Sequence, residues 1–253
     1  MEIRVAFLPE QAGDVSGAVC VVVDVLRATT VIATLFARGC PRVYVTASHE
    51  AARAFARERG YVLCGETGGY KVPDFDYGNS PVEFAALDFT GRPVVLSTTN
   101  GTKAVAAVAG ARRVLLGAAV NRRVVSQAAW QAARETSSDI VIVCAGTETQ
   151  FTLEDATVAG LYVEAIAAQA GAWEMPEQAD SAIAARRLWQ AEPNLLRGWI
   201  EGHHAQTLAD RGFGEDLGYC AAIDTLSIVP TLVSEADAMQ VSAPVLLAQE
   251  SGE

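Results

Sequence analysis

Short runs of β-branched and apolar residues recur along this chain, and between them apolar positions return every three or four residues. The runs read as buried strands over Ile3–Phe7, Val19–Val23, Arg42–Val45, Tyr61–Cys64, Pro93–Ser97, Arg113–Leu116 and Asp139–Cys144. Helical periodicity fills the gaps over Ala28–Arg38, His49–Arg59, Pro81–Ala86, Thr102–Val108, Asn121–Thr136 and Leu153–Ala170. Strands alternating with helices predict βαβ units, hence an α/β fold of three layers, α/β/α, around a mostly parallel sheet. Two helix starts are marked in the sequence. Ser80-Pro81-Val82-Glu83 combines a capping serine, a first-turn proline and a glutamate three residues on, and Thr152-Leu153-Glu154-Asp155 is a similar box.

The pattern changes after residue 171. Segments 181–191, 194–211 and 214–223 look helical, while Ile228–Leu232 and Ala243–Leu247 read as late strands. The expectation is a single α/β domain over residues 1–253 with a helical C-terminal portion. The stretch 171–180 is the one place for a sub-boundary.

In a parallel sheet the turns after the strand ends gather at one edge, where ligands bind. The turn after Pro93–Ser97 is Thr98-Thr99-Asn100-Gly101-Thr102-Lys103, an abrupt switch from apolar strand to small polar residues and a helix start. Free backbone N–H groups, hydroxyls and the positive end of a helix dipole suit a phosphoryl group, although an ordinary helix cap explains the same residues. The spacing of a Walker loop is absent. Ser97 and Lys103 flank this turn and join it as candidate anion contacts, as do Asn79 and Ser80 at another helix start.

Asp24 ends a five-residue run of valine and cysteine, so its carboxylate needs a metal, a basic partner or backbone donors. Arg27, three residues later, is placed to pair with it or to grip an anion. Glu66 lies among glycines and suits metal binding or acid–base work as well as a solvated loop. Asp155 and Glu154 open a helix, where the dipole alone accounts for them. Cys144 ends a strand and raises a thiolate nucleophile, but the arginine such a phosphatase loop needs six residues on is Gln150. A structural thiol explains Cys144 better. An aspartyl-phosphate mechanism at Asp24 wants a second aspartate two residues on, and Leu26 stands there.

Composition narrows the class. Apolar residues make up 51% of 253, as strands covered on both faces require. Five dispersed cysteines and no C-x-x-C pair indicate reduced thiols, and the three histidines show no zinc spacing with them. No apolar run reaches 18 residues and the start lacks a signal-peptide pattern, so a cytoplasmic protein is expected. A net charge of −11 argues against nucleic acid and anionic membrane as partners. Only two lysines occur, Lys71 and Lys103, both in polar loops containing glycine.

Taken in order, Asp24-Val25-Leu26-Arg27-Ala28-Thr29-Thr30, Phe75-Asp76-Tyr77-Gly78-Asn79-Ser80-Pro81 and Thr98-Thr99-Asn100-Gly101-Thr102 resemble the 2-phosphosulfolactate phosphatase family. Cys144-Ala145-Gly146-Thr147 and Phe151-Thr152-Leu153-Glu154-Asp155 extend the resemblance, and a weaker piece runs from His204 to Pro230 through Gly212, Asp216, Cys220 and Asp224. Thr67 stands where the family usually has arginine. The resemblance implies a Mg²⁺-dependent hydrolase of (2R)-O-phospho-3-sulfolactate, the chemistry of coenzyme M biosynthesis. Its substrate is a small phosphorylated sulfonate and carboxylate. Asp24, Glu66 and, third, Asp155 are the expected Mg²⁺ ligands; a metal-bound water or a side chain is left open as the attacking group, with Asp24 ahead of Cys144 among side chains. Another 2-phospho-hydroxyacid as substrate, a non-catalytic anion sensor with the same pocket, and a homodimer all stay open.

Overall fold

The computed structural model of the chain describes residues 1–98, 101–170, 174–235 and 238–242. Its strands are β1 (Glu2–Ala6), β2 (Val19–Val23), β3 (Val43–Thr46), β4 (Val62–Thr67), β5 (Tyr70–Lys71), β6 (Val94–Ser97), β7 (Arg113–Gly117), β8 (Ile140–Cys144), β9 (Glu177–Gln178), β10 (Thr231–Glu235) and β11 (Ala238–Ser242). The helices are α1 (Ala28–Ala37), α2 (His49–Arg59), α3 (Pro81–Ala85), α4 (Gly101–Ala107), α5 (Arg122–Thr136), α6 (Leu153–Gln169), α7 (Asp180–Ala191), α8 (Leu195–Trp199), α9 (His203–Leu208) and α10 (Gly214–Cys220).

Eleven strands align in the order β5-β4-β6-β3-β11-β10-β7-β2-β8-β1-β9. Parallel ladders join β4, β6 and β3 on one side and β7, β2, β8, β1 and β9 on the other. The period of two along each strand assigns its faces. In β2, Cys20 and Val22 join the core that includes α1 and α4, while Val19, Val21 and Val23 join the core that includes α5 and α6. Val43, Val45, Val94 and Leu96 share the first of these cores, whereas Tyr44 and Val95 pack with Ala52 and Ala56 of α2. Helices therefore cover both faces, which is the three-layer α/β/α arrangement. It explains why the strands read as continuous apolar runs.

The late strands differ from expectation. The first begins at Thr231, and its partner is Ala238–Ser242; Ala243–Leu247 lies outside the described residues. Together they form a hairpin inserted between β3 and β7 by antiparallel pairing on both sides. The stretch 194–211 is not one helix but α8 and α9, joined through Gly202, followed by a wider turn over Ala209–Phe213.

Three antiparallel joints in a row reverse β3, β6 and β4 relative to β7, β2, β8 and β1. A common carboxyl edge for all parallel strands, as expected from sequence, does not exist. The turns after β2 and β6 nevertheless meet. Twist of about 20–25° per pair, over the five pairings from β2 to β6, turns one strand group across the other by roughly 100–125°. From β6, helix α4 then starts against Asp24 and Ala28: a Cβ on Gly101 would stand 2.8 Å from Asp24 Oδ2 and 2.9 Å from the Ala28 Cβ.

Candidate active site

A cavity of about 880 Å³ opens where the turn after β2, the β4–β5 hairpin, the β8–α6 loop and α9 come together. Asp24, Leu26 and Arg27 line one wall; Glu66, Gly68 and Gly69 a second; Thr147, Glu148 and the start of α6 a third; and His203, His204 and Arg211 a fourth. Asn79 and Thr98 complete it.

Asp24 is buried, and Ala28 N at the start of α1 donates to its Oδ1 at 3.3 Å, one of the backbone donors its burial calls for. The Thr29 hydroxyl also closes the turn by donating to Asp24 O at 2.9 Å. Burial, opposed by the Ala28 N–H and the neighbouring His204, pushes the Asp24 carboxyl up to about 6, and the charges of Glu66 and Glu154 add to the rise. Carboxylates from three walls thus meet in one sheltered cavity. Glu66 turns its Oε2 back to accept from Gly69 N at 2.8 Å.

Arg27 does not pair with Asp24. Its Nη1 donates to Asp216 Oδ2 at 2.7 Å, its Nη2 to Gly69 O at 2.7 Å, and its guanidinium stacks 4.2 Å from the Phe213 ring centroid. Asp216, in α10, was legible only as part of the C-terminal resemblance. Its other oxygen accepts from Ser80 Oγ at 2.6 Å, and Ser80 Oγ in turn accepts from Glu83 N to cap α3. Ser80 therefore holds Arg27 in place through Asp216 and is not on the cavity wall, whereas its neighbour Asn79 is. Removing either partner of this buried ion pair would leave an uncompensated charge, at a cost of about 3–5 kcal/mol.

Asp155 does not line the cavity. Val25 N and Gly146 N donate to its two oxygens at 2.9 and 3.0 Å, which ties the turn after β2 to the turn after β8. Burial first, then the charges of Asp24 and Glu154, raises its carboxyl well above the usual range. Both oxygens are already bonded, so Asp155 braces the site and is not positioned as a metal ligand. Cys144 is in the α5–α6 core, not on the cavity wall. Burial and the charges of Asp155 and Glu154 push its thiol well up, the opposite of what a thiolate nucleophile needs.

The polar turn after β6 is divided. Thr98 reaches the cavity, and Gly101 abuts Asp24. Ser97 is buried behind the wall, its Oγ 2.8 Å from His49 Nδ1. Thr99, Asn100 and the Thr102 side chain lie outside the described residues. Lys103 is exposed on α4 and does not line the cavity, which corrects its reading as an anion contact. The cavity's cations are Arg27 and Arg211, with His203 and His204 beside them. Arg211 Nη1 donates to Gly68 O.

Sequence reasoning treated Glu154 as a helix-dipole partner and overlooked His203 and Arg211. Glu154 is 1% exposed, and its Oε1 accepts from His204 Nδ1 at 2.6 Å. Its Oε2 has no hydrogen-bond partner, nor do Thr152 Oγ1 and Asn79 Oδ1, all three buried on residues lining this cavity. The box at Thr152 therefore does not form, since its hydroxyl makes no capping bond. The one available signal was Gly202-His203-His204, two of three histidines side by side after a glycine. Among the described residues, no group of three or more His, Cys, Asp or Glu side chains forms a ready metal cage.

The profile of the 2-phosphosulpholactate phosphatase family matches residues 6–235. A probable 2-phosphosulfolactate phosphatase of Carboxydothermus hydrogenoformans is 37% identical over 231 residues, covering 91% of this chain and 92% of that one. Proteins of the same description from Symbiobacterium thermophilum and Deinococcus radiodurans are 38% and 40% identical, covering 87% and 92% of this chain and 93% and 94% of their own lengths. The match spans the residues of every cavity wall, and the chain belongs to the 2-phosphosulfolactate phosphatase family.

Proposed function

We propose that this chain hydrolyses (2R)-O-phospho-3-sulfolactate to 3-sulfolactate and phosphate, with Mg²⁺ held by Asp24 and Glu66. The observation that carries this reading is the buried Asp24 carboxylate, crowded by Glu66 and Glu154 on the wall of the cavity that Arg27 and Arg211 also line. Asp24, Glu66, Glu148 and Glu154 outnumber the two arginines, so the cavity by itself repels a substrate with phosphate, carboxylate and sulfonate groups. A divalent cation reverses that sign. The donors fit Mg²⁺, which takes hard oxygen ligands, keeps several waters and needs only one or two carboxylates. When bound, the metal neutralises phosphoryl oxygens and aligns the attacking oxygen.

The chain's own residues do the rest. Asp216 and Gly69 O hold the Arg27 guanidinium rigidly, so it meets an anion with little further ordering. Thr98 and the Asn79 amide offer polar contacts at the cavity wall. Arg211, on the helical C-terminal side, supplies a second cation for the sulfonate or carboxylate end. The test is phosphate release from a panel of 2-phospho-hydroxyacids, with Mg²⁺ and with EDTA. We expect Mg²⁺-dependent release, fastest with 2-phosphosulfolactate. Faster turnover of another panel member reassigns the substrate, and tight binding without release identifies a sensor. Undiminished release in EDTA removes the metal from the reading.

A further inference from the structure

Among the described residues that line the cavity, Glu154 and His204 form a hydrogen-bonded titratable pair that the proposed metal site and anion contacts leave without a task. Glu154 comes from the first turn of α6 and His204 from α9, fifty residues apart in sequence. The carboxylate oxygen Oε1 can only accept, so the 2.6 Å contact places a proton on His204 Nδ1. That fixes the ring, and no described residue partners its Nε2. Glu154 is almost fully buried, and its unpartnered Oε2 lies 3.7 Å from where a Cβ on Gly202 would stand. A buried carboxylate that orients one ring nitrogen and leaves the other to the cavity is the arrangement of a histidine built to pass a proton.

Resting on the phosphatase reading, we propose that His204 is the general acid, giving its Nε2 proton to the alkoxide oxygen that leaves phosphorus, with Glu154 as its positioning residue. In the step, the attacking water's O–P bond forms and the ester O–P bond breaks. The electron pair of the broken bond goes to the hydroxyacid oxygen, which takes the proton from Nε2. The proton of the attacking water leaves with phosphate, and His204 is reprotonated from solvent. Although burial works against the charge on His204, the hydrogen bond and charge of Glu154, then Asp155 and Asp24, favour its protonated form overall. Glu66, His203 and Arg211 are the other titratable or charged groups that line the cavity near it, with Glu148 and Arg27.

The experiment measures kcat and KM for 2-phosphosulfolactate at saturating Mg²⁺ from about pH 5 to 9. It uses the wild type, His204→Gln and Glu154→Gln, with the melting temperature of each as a check on folding. We expect His204→Gln to lose kcat by about 10²- to 10⁴-fold with KM little changed. In Glu154→Gln the alkaline fall of kcat should move to lower pH, because the carboxylate that favours the imidazolium is gone. A folded His204→Gln variant within about threefold of wild-type kcat overturns the assignment. Should that variant fail to fold, an unmoved alkaline limb in Glu154→Gln overturns it instead. A wild type that releases no phosphate overturns the phosphatase reading and this assignment together, whereas an active wild type with an unaffected His204 variant overturns this assignment alone.

Discussion

At the scale of single residues, the site depends on close approach between Asp24 and the start of α4. Only a residue without a Cβ fits at position 101, where an added methyl would meet Asp24 Oδ2 at 2.8 Å and Ala28 Cβ at 2.9 Å. Gly101→Ala should therefore push the carboxylate off its position and lower kcat/KM by about 10²-fold, with a modest fall in melting temperature. Wild-type kinetics in that variant would show that the contact has slack. Asp24 and Glu66 were legible because a carboxylate after an apolar run, or among glycines, has few reasons to be there. The partner of Arg27 was not. Asp216 lies 189 residues away, and nothing local in Gly214–Cys220 says that its first-turn aspartate turns inward to a guanidinium and not outward to water. The same ambiguity hid Glu154. A helix start explains an acidic residue so readily that only burial and a missing hydrogen bond reveal another use.

At the scale of elements, the strands were legible as continuous apolar runs, since β2 and β8 are buried on every residue, and the long helices as periodicity, since α2 buries Ala52 and Ala56 along one face. The hairpin β10–β11 was displaced because Thr231–Glu235 and Ala238–Ser242 mix polar with apolar residues and its pairing partners are distant in sequence. Helix α6 is buried nearly all round and packs on α7, which brings the Glu164 carboxylate to Trp189 Nε1 at 3.0 Å and Gln190 Nε2 at 2.8 Å. These two donors hold the Glu164 carboxyl below its ordinary value. A depressed folded-state pKa contributes stability that is present above the unfolded value and lost as pH falls through the folded one. The melting temperature of the wild type should thus exceed that of Glu164→Gln above about pH 5, with the difference shrinking as pH drops below about 4. A difference that stays constant across that range would contradict the ionic contribution.

At the scale of the whole molecule, the hairpin is the joint between two parallel strand groups that share no other ladder among the described residues. Val233 is central in β10 and opposite Gln240. Val233→Pro removes a ladder N–H from an interior strand, so the melting temperature should fall by roughly 5 °C or more. Amide exchange should then quicken in β3 and β7 as well as in the hairpin. Exchange confined to β10 and β11 would mean the two groups hold together without it. This joint also determines how the cavity assembles. Reversal of β3, β6 and β4 across the hairpin, followed by the return of α4, brings the turn after β6 to Asp24, a route that strand alternation alone did not reveal.

The proposed activity turns on one buried carboxylate, Asp24, acting on an esterified phosphate. The most direct measurement is phosphate release from 2-phosphosulfolactate by the wild type and Asp24→Asn at saturating Mg²⁺, with melting curves for both. The prediction is a loss of about 10³-fold or more in kcat, an effect worth about 4 kcal/mol, in a variant that melts within a few degrees of the wild type. Turnover by Asp24→Asn within about threefold of the wild type would contradict it.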